Sequence, residues 1–342
     1  MVTVDNTDSR PIDTFDRLSI NGEQSRTIDL HAHTYYSDGA LSPTDLVQKA
    51  KEIGLAAVGI ADHDSVDGLA EGLAAGKKIG IEIVPAVEIT SYPDPETEFH
   101  ILGYFIDWEN RAFQKTLRGF QEEREKRAKK VIKNLNDIGY LINFGDLKAL
   151  ARGTIVQPHL AWLVINDLEN RAKLKSDFGK IPSTGEFIVK YLIPGAPACE
   201  PRQTIQPAEA IELVHRIGGL AILAHPSWSL TKKEDGKMIF NDHLLSGLIE
   251  QGLDGLEVYS HRNSEEDTKI CVEHFAQIAQ KKNLAVSGGS DYHGFGSAGK
   301  ELGFTDFYLK VPYQVLADLK LKMKNEELGR KRDIVERTLD AN

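Results

Sequence analysis

Nine side chains of this sequence have the types and placement of metal ligands: His31, His33, Asp38, His63, Glu88, His100, His225, Asp291 and His293. Six of the eleven histidines fall in this set. Imidazole nitrogens mixed with carboxylate oxygens suit zinc, manganese or iron, whereas an all-oxygen set would suit magnesium or calcium. Spacing adds to residue type. His31 and His33 stand two apart at the end of an apolar run, so as strand residues they share a face and can share an ion. Asp291 and His293 repeat that arrangement late in the chain. A lone histidine is usually a surface or satisfied core residue, but H-x-H, D-H-D and D-x-H, each just after an apolar run, rarely arise together by chance. The chemistry these residues point to is metal coordination.

The runs that must position them are short and apolar. Ile28 to Leu30 reads as a strand ending at His31. Ala56 to Ala61 ends at Asp62-His63-Asp64, Ile81 to Val87 ends at Glu88, and Phe99 to Ile106 carries His100 near its start. Helices lie between them: Ser42 and Pro43 form an N-cap and first-turn pair, Gly54 stops that helix, and a second spans Gly68 to Ile79. From Trp108 to Gln206 the rhythm breaks into mostly helical, charged sequence, with Gln121 to Arg127 opening a long amphipathic helix. Alternation resumes at Pro207. The strands Leu220 to Ala224, Gly255 to Tyr259 and Leu284 to Ser287 then lead to His225, His261 and Asp291. Such alternation predicts α/β architecture with parallel strands and covering helices, and polar clusters at strand ends favour a barrel over an open sheet.

Bulk properties bound the partners. The 342 residues carry 51 acidic against 41 basic side chains, a net charge of −10, which argues against a protein that coats extended duplex nucleic acid. Bound divalent cations would still let it accept a small anion or a short oligonucleotide. Cys199 and Cys271 form no C-x-x-C pair and read as two reduced thiols of a cytoplasmic protein. No stretch is apolar enough for a membrane span or signal peptide.

The motifs His31-Ala32-His33 with Ser37-Asp38-Gly39, Asp62-His63-Asp64, Val87-Glu88-Ile89, His100-Ile101-Leu102-Gly103, Ala224-His225-Pro226 and Ser290-Asp291-Tyr292-His293 resemble, in order, those of the PHP (polymerase and histidinol phosphatase) family. The resemblance covers about Thr27 to Gly296. It implies a distorted (β/α)7 barrel with a trinuclear metal site at its rim. Carried over by position, it assigns His31, His33, Glu88 and Asp291 to a first ion, Glu88, His100 and His225 to a second, and Asp38, His63 and His293 to a third. The three divalent ions would be manganese, iron or zinc. The division expected is a flexible leader over 1–26, the barrel over 27–107 and 207–325, a helical insertion acting as substrate lid over 108–206, and a charged tail over 326–342.

The resemblance implies hydrolysis of phosphate esters by a metal-bridging hydroxide, with Glu88 and Asp291 at the nucleophile-forming pair and no protein nucleophile. No Gly-x-Ser-x-Gly elbow competes with that reading. The Ser-Asp-Gly form at Asp38 favours the branch acting on nucleoside 3',5'-bisphosphates, mononucleotides or the 5' ends of short RNA. Alternatives are a non-nucleotide phosphomonoester of the histidinol-phosphate kind, or a non-catalytic module partnering a replication protein. Arg124 and His159, in the insertion, and His261, after its own strand, are the candidate substrate contacts, with His261 also a candidate acid for the leaving group. Val156-Gln157-Pro158-His159 stands where relatives read Gly-Arg-Pro-His, and Ala196 where lysine is common. Asp62 and Asp64 are expected to orient His63, Ser37 to fix its loop, and His215, His243 and His274 to be ordinary surface residues.

Overall fold

The computed structural model describes residues 26–94, 97–201, 205–262, 264–294, 300–304 and 309–340, so the expected leader lies outside them but for Arg26. The first half of the barrel is β1 (Thr27–Ala32), α1 (Pro43–Glu52), β2 (Ala57–Ile60), α2 (Leu69–Ile79), β3 (Glu82–Ser91) and β4 (Phe99–Tyr104). Helices α3 (Arg111–Asp137), α4 (Phe144–Leu150), α5 (Gln157–Asn166), α6 (Arg171–Phe178) and α7 (Thr184–Tyr191) follow. The return is α8 (Pro207–Arg216), β5 (Leu220–Leu223), α9 (Pro226–Ser229), β6 (Thr231–Glu234), β7 (Lys237–Phe240), α10 (Asp242–Glu250), β8 (Gly255–Tyr259), α11 (Glu265–Lys282), β9 (Ala285–Gly288), β10 (Val311–Pro312) and α12 (Tyr313–Asp340). Helix α12 continues through the charged C-terminal run.

Local chemistry explains the elements. The Ser42 side chain accepts from Asp45 N–H and Pro43 stands in the first turn of α1, which buries Leu46, Val47 and Ala50. Gly54 leaves the helix with φ 81°, a left-handed conformation that favours glycine. The short strands bury every residue of Ala57–Ile60 and Leu220–Leu223, as staves covered on both faces must.

Seven strands form a nearly closed barrel in the order β1-β2-β3-β4-β5-β8-β9, and β10 adds to β1 as an antiparallel outer strand. The seam is bridged where His33 N–H donates to Tyr292 O at 2.9 Å and Ala32 pairs with Tyr292. The parallel expectation fails at one strand. β4 runs antiparallel to both β3 and β5. The link from Ser91 to Phe99 is shorter than the roughly dozen residues a parallel crossover needs, so the chain turns straight back. That reversal has a chemical result: β4 brings its N-terminal end to the rim where its neighbours bring C-terminal ends. His100, near the start of its strand, therefore joins residues that follow theirs.

The barrel and helices α4 to α7 bury separate apolar cores. Helix α3 belongs to both, with Phe113 and Leu117 in the barrel core and Val131 and Leu135 in the helical one. It begins at Arg111 rather than at the charged run from Gln121, because the Asn110 side chain caps the N–H groups of Ala112 and Phe113. The hairpin β6–β7 was not anticipated; its exposed Thr231–Glu234 strand lacks an apolar run. Among the described residues no helix is long and apolar enough to cross a membrane, and Cys199 and Cys271 are free thiols.

Candidate metal centre and active site

The strand ends bring all nine residues together at one rim. His31 is the penultimate residue of β1, and its Nε2 lies 3.2 Å from His33 Nε2. His33 Nε2 lies 3.1 Å from Asp291 Oδ1 and 3.4 Å from Glu88 Oε2, while His31 Nε2 lies 3.3 Å from that same Glu88 oxygen. Ligand atoms within 4.8 Å of one another form three overlapping groups: His31, His33, Glu88 and Asp291; His33, Asp38, His63 and His293; and His63, Glu88 and His100. The first group is the set expected for one ion. His33 joins the Asp38 group in addition to His63 and His293. His63 reaches Glu88 as well, its Nδ1 3.0 Å from Oε2, so the clusters are contiguous. His225 Nε2 lies 3.1 Å from Glu88 Oε1, beside His100 Nδ1 at 2.9 Å from the same oxygen.

A divalent cation fits this arrangement on the chemistry of the donors. Among the described residues Glu88 Oε2, Asp38 Oδ1, His63 Nδ1 and His225 Nδ1 are buried and, close as some of them lie to one another, make no hydrogen bond. Buried lone pairs left without donors cost free energy, and cations would satisfy them together. The electrostatics agree. Against burial, the surrounding histidines hold the Glu88 carboxyl well below the usual range. Burial likewise opposes ionisation of Asp38 and Asp291, yet His293 beside the one and Lys300 beside the other keep both well below it. Burial, with His293 and His63 close by, pushes His33 down to about 3, so it is neutral and free to donate a lone pair.

Backbone strain marks the same place. His225 has φ 30°, and Asp64 and Asp291 have φ 47° and 54°. Left-handed non-glycine residues cost about 1–3 kcal/mol each and gather at functional sites. The His225 turn is held by its own N–H donating to Glu257 Oε2 at 2.7 Å. Close approach has a similar signature at Gly289, where a Cβ would stand 2.3 Å from that of His31.

Several orienting residues escaped sequence reading. Glu257, buried in β8, holds His31 Nδ1 at 2.9 Å, which turns Nε2 toward the cluster. A lone charged residue inside the apolar run Leu256-Glu257-Val258 was the available signal. Asp29, one pleat before His31, accepts from the Ser290 hydroxyl at 2.5 Å and its N–H at 3.0 Å, tying β1 to the Asp291 loop. Lys300 pairs with Asp291. Asp62 and Asp64 do not orient His63 as expected. Asp62 accepts from Thr34 N–H at 2.7 Å and from the Ser37 hydroxyl at 2.6 Å, holding the loop that carries Asp38, and Ser37 fixes that loop as anticipated. Asp64 receives Arg124 Nε at 2.8 Å.

The insertion faces the rim. A cavity of about 970 Å³ is lined by Asp38, His63, His100 and His293 below and by His159, Trp162 and Ile188 from α5 and α7. Arg124 and His261 line it too. Arg124 also donates to Thr90 Oγ1 at 2.8 Å, so its guanidinium is held at the wall. Val156 N–H donates to His159 Nδ1 at 3.3 Å, which leaves the proton of the neutral ring on Nε2. Burial lowers both His159 and His261. His215 and His274, expected as plain surface residues, are half-buried ties: His215 to Asp254 at 2.8 Å, and His274 to Asp242 with its ring on Phe240. His243 is exposed.

Comparison with known proteins gives the same direction. The PHP domain model matches residues 29–147. A 5'-3' exoribonuclease of Haemophilus influenzae is 30% identical over 84% of this chain and 98% of its own length. A 3',5'-nucleoside bisphosphate phosphatase of Chromobacterium violaceum is 29% identical over 82% of this chain and 91% of its own. The structure of a candidate metal-dependent phosphoesterase from Bifidobacterium adolescentis superposes with TM-score 0.69 at 27% identity, covering 86% of this chain and 96% of that one.

Proposed function

The chain belongs to the PHP family and is a hydrolase of phosphoric esters, and from that premise we propose that it removes phosphate from small nucleotides or shortens RNA from the 5' end. The observation that carries this reading is one cavity with Asp38, His63, His100 and His293 of the cluster on its floor and residues of the insertion on its wall. A phosphate alone would leave most of about 970 Å³ empty, so the chamber fits an ester with a substantial organic part. Relatives named for nucleotide and RNA substrates align along nearly their whole lengths, which supports a nucleotide as that part.

Eight of the nine residues, all but His225, fall into three groups that would hold divalent ions, with His225 beside Glu88, and manganese, iron or zinc would match the mixed donor set. Ions bound there supply a water of lowered pKa and positive charge against the phosphoryl oxygens. The protein's own part is positioning. Arg124, whose Nε and Nη2 are held by Asp64 and Thr90, has its Nη1 donors left for a phosphate. His159 offers its Nε2–H without adding charge. His261, lowered by burial, is mostly neutral near pH 7, which favours substrate contact over proton donation to the leaving group.

The test is hydrolysis by metal-loaded protein of nucleoside 3',5'-bisphosphates, mononucleotides, short 5'-phosphorylated RNAs, histidinol phosphate and sugar phosphates. Base-bearing esters are expected to give the highest kcat/KM. A clear preference for a base-free phosphomonoester would replace this reading with the sugar- or histidinol-type one.

A further inference from the structure

Two tryptophans line the chamber from opposite bodies: Trp228 on α9 of the barrel, 40% exposed, and Trp162 on α5 of the insertion, 42% exposed. Scattered exposed apolar residues are common, and exposure alone says little. Trp228 differs because its ring is built in place. Its Nε1–H donates to His261 O at 2.8 Å. The guanidinium of Arg262 lies 4.3 Å from the ring centroid. Its backbone is held one turn from the rim, with Trp228 N–H donating to His225 O at 2.8 Å. An indole fixed at its polar edge, backed by a cation and opening on a chamber has little freedom to lose when a flat partner settles on it. The same chamber carries Asp38, His63, His100 and His293, so one bound molecule reaches both the cluster and the ring.

We propose that Trp228 is a stacking shelf for the aromatic base of the substrate and sets the preference for base-bearing over base-free esters. This rests on the nucleotide reading above. The phosphate end of a nucleotide is satisfied by cations and donors, whereas a heterocycle needs a π-face, and Trp228 supplies one without demanding a particular base. Preference for a base, with tolerance of which base, follows from that geometry. Trp162 borders the same space from the insertion.

The experiment compares adenosine 3',5'-bisphosphate with 1-deoxyribose 3,5-bisphosphate, the same compound without its base, on metal-loaded wild type, Trp228→Ala and Trp228→Phe. The readout is the ratio of the two kcat/KM values, which a general loss of folding or metal does not move. Stacking predicts that Trp228→Ala lowers the ratio about tenfold, mainly through KM, and that Trp228→Phe keeps it within about threefold of wild type. A ratio unchanged in Trp228→Ala overturns the shelf and leaves the nucleotide reading standing. A wild-type ratio at or below one overturns both.

Discussion

Glu257 decides which way His31 faces. Its Oε1 holds Nδ1 of that ring and its Oε2 takes the His225 N–H, so one buried carboxylate sets two candidate ligands from different strand ends. Partners of this kind commonly matter 10- to 100-fold in metal affinity or activity. Glu257→Gln is therefore expected to weaken metal retention by about that factor while the protein remains folded, as metal-buffer titration and circular dichroism would show. Retention equal to wild type would make Glu257 a packing residue only. The nine candidate ligands, which the fold gathers at one rim, were legible in the sequence because histidine and acid pairs at strand ends are rare and chemically distinctive. Glu257, Asp29 and Lys300 were not, since a single acid within a strand, or a lysine beyond a loop, carries no spacing signal. Their role arises only when β1, β8 and the Asp291 loop meet.

Among the elements, the parallel framework was readable from alternating apolar runs and caps, whereas the direction of β4 was not. Strand sequence alone carries no sense of direction; the short link from β3 does. The early start of α3 was masked for a similar reason, its cap at Asn110 standing well before the conspicuous charge run. The helical core behind the chamber makes its own prediction. Asp177 accepts from the hydroxyls of Tyr140 at 2.7 Å and Tyr191 at 2.6 Å and pairs with Lys173 at 3.0 Å. Burial opposes its charge, but these partners hold its carboxyl down to about 2, from an ordinary 3.8. A carboxylate depressed on folding contributes stability above its ordinary value and loses it as pH falls through the folded one. Asp177→Asn should cost about 1–3 kcal/mol near neutral pH. The gap in melting temperature from wild type should narrow as pH falls below about 4. A gap independent of pH would show that the charge on Asp177 contributes nothing.

At the scale of the whole molecule, a barrel supplies a rim of donors and a separately cored helical body supplies the wall above it, with α3 packed into both. Gly153 shows how closely they meet: a Cβ there would stand 1.9 Å from Tyr36 O, and the neighbouring Thr154 N–H donates to that oxygen at 2.9 Å. Position along the chain suggested that the helical run from Trp108 to Gln206 lies near the rim, but the cavity that it shares with the barrel, and Trp228 within it, required the folded arrangement. All of this depends on the cluster holding metal. Elemental analysis of the purified full-length chain, before and after EDTA and alongside hydrolysis of a nucleoside bisphosphate, tests that most directly. The three overlapping ligand groups predict about two to three manganese, iron or zinc ions per chain, lost with activity in EDTA and reduced in Glu88→Gln. A chain that binds no metal tightly and keeps full activity in EDTA would contradict it.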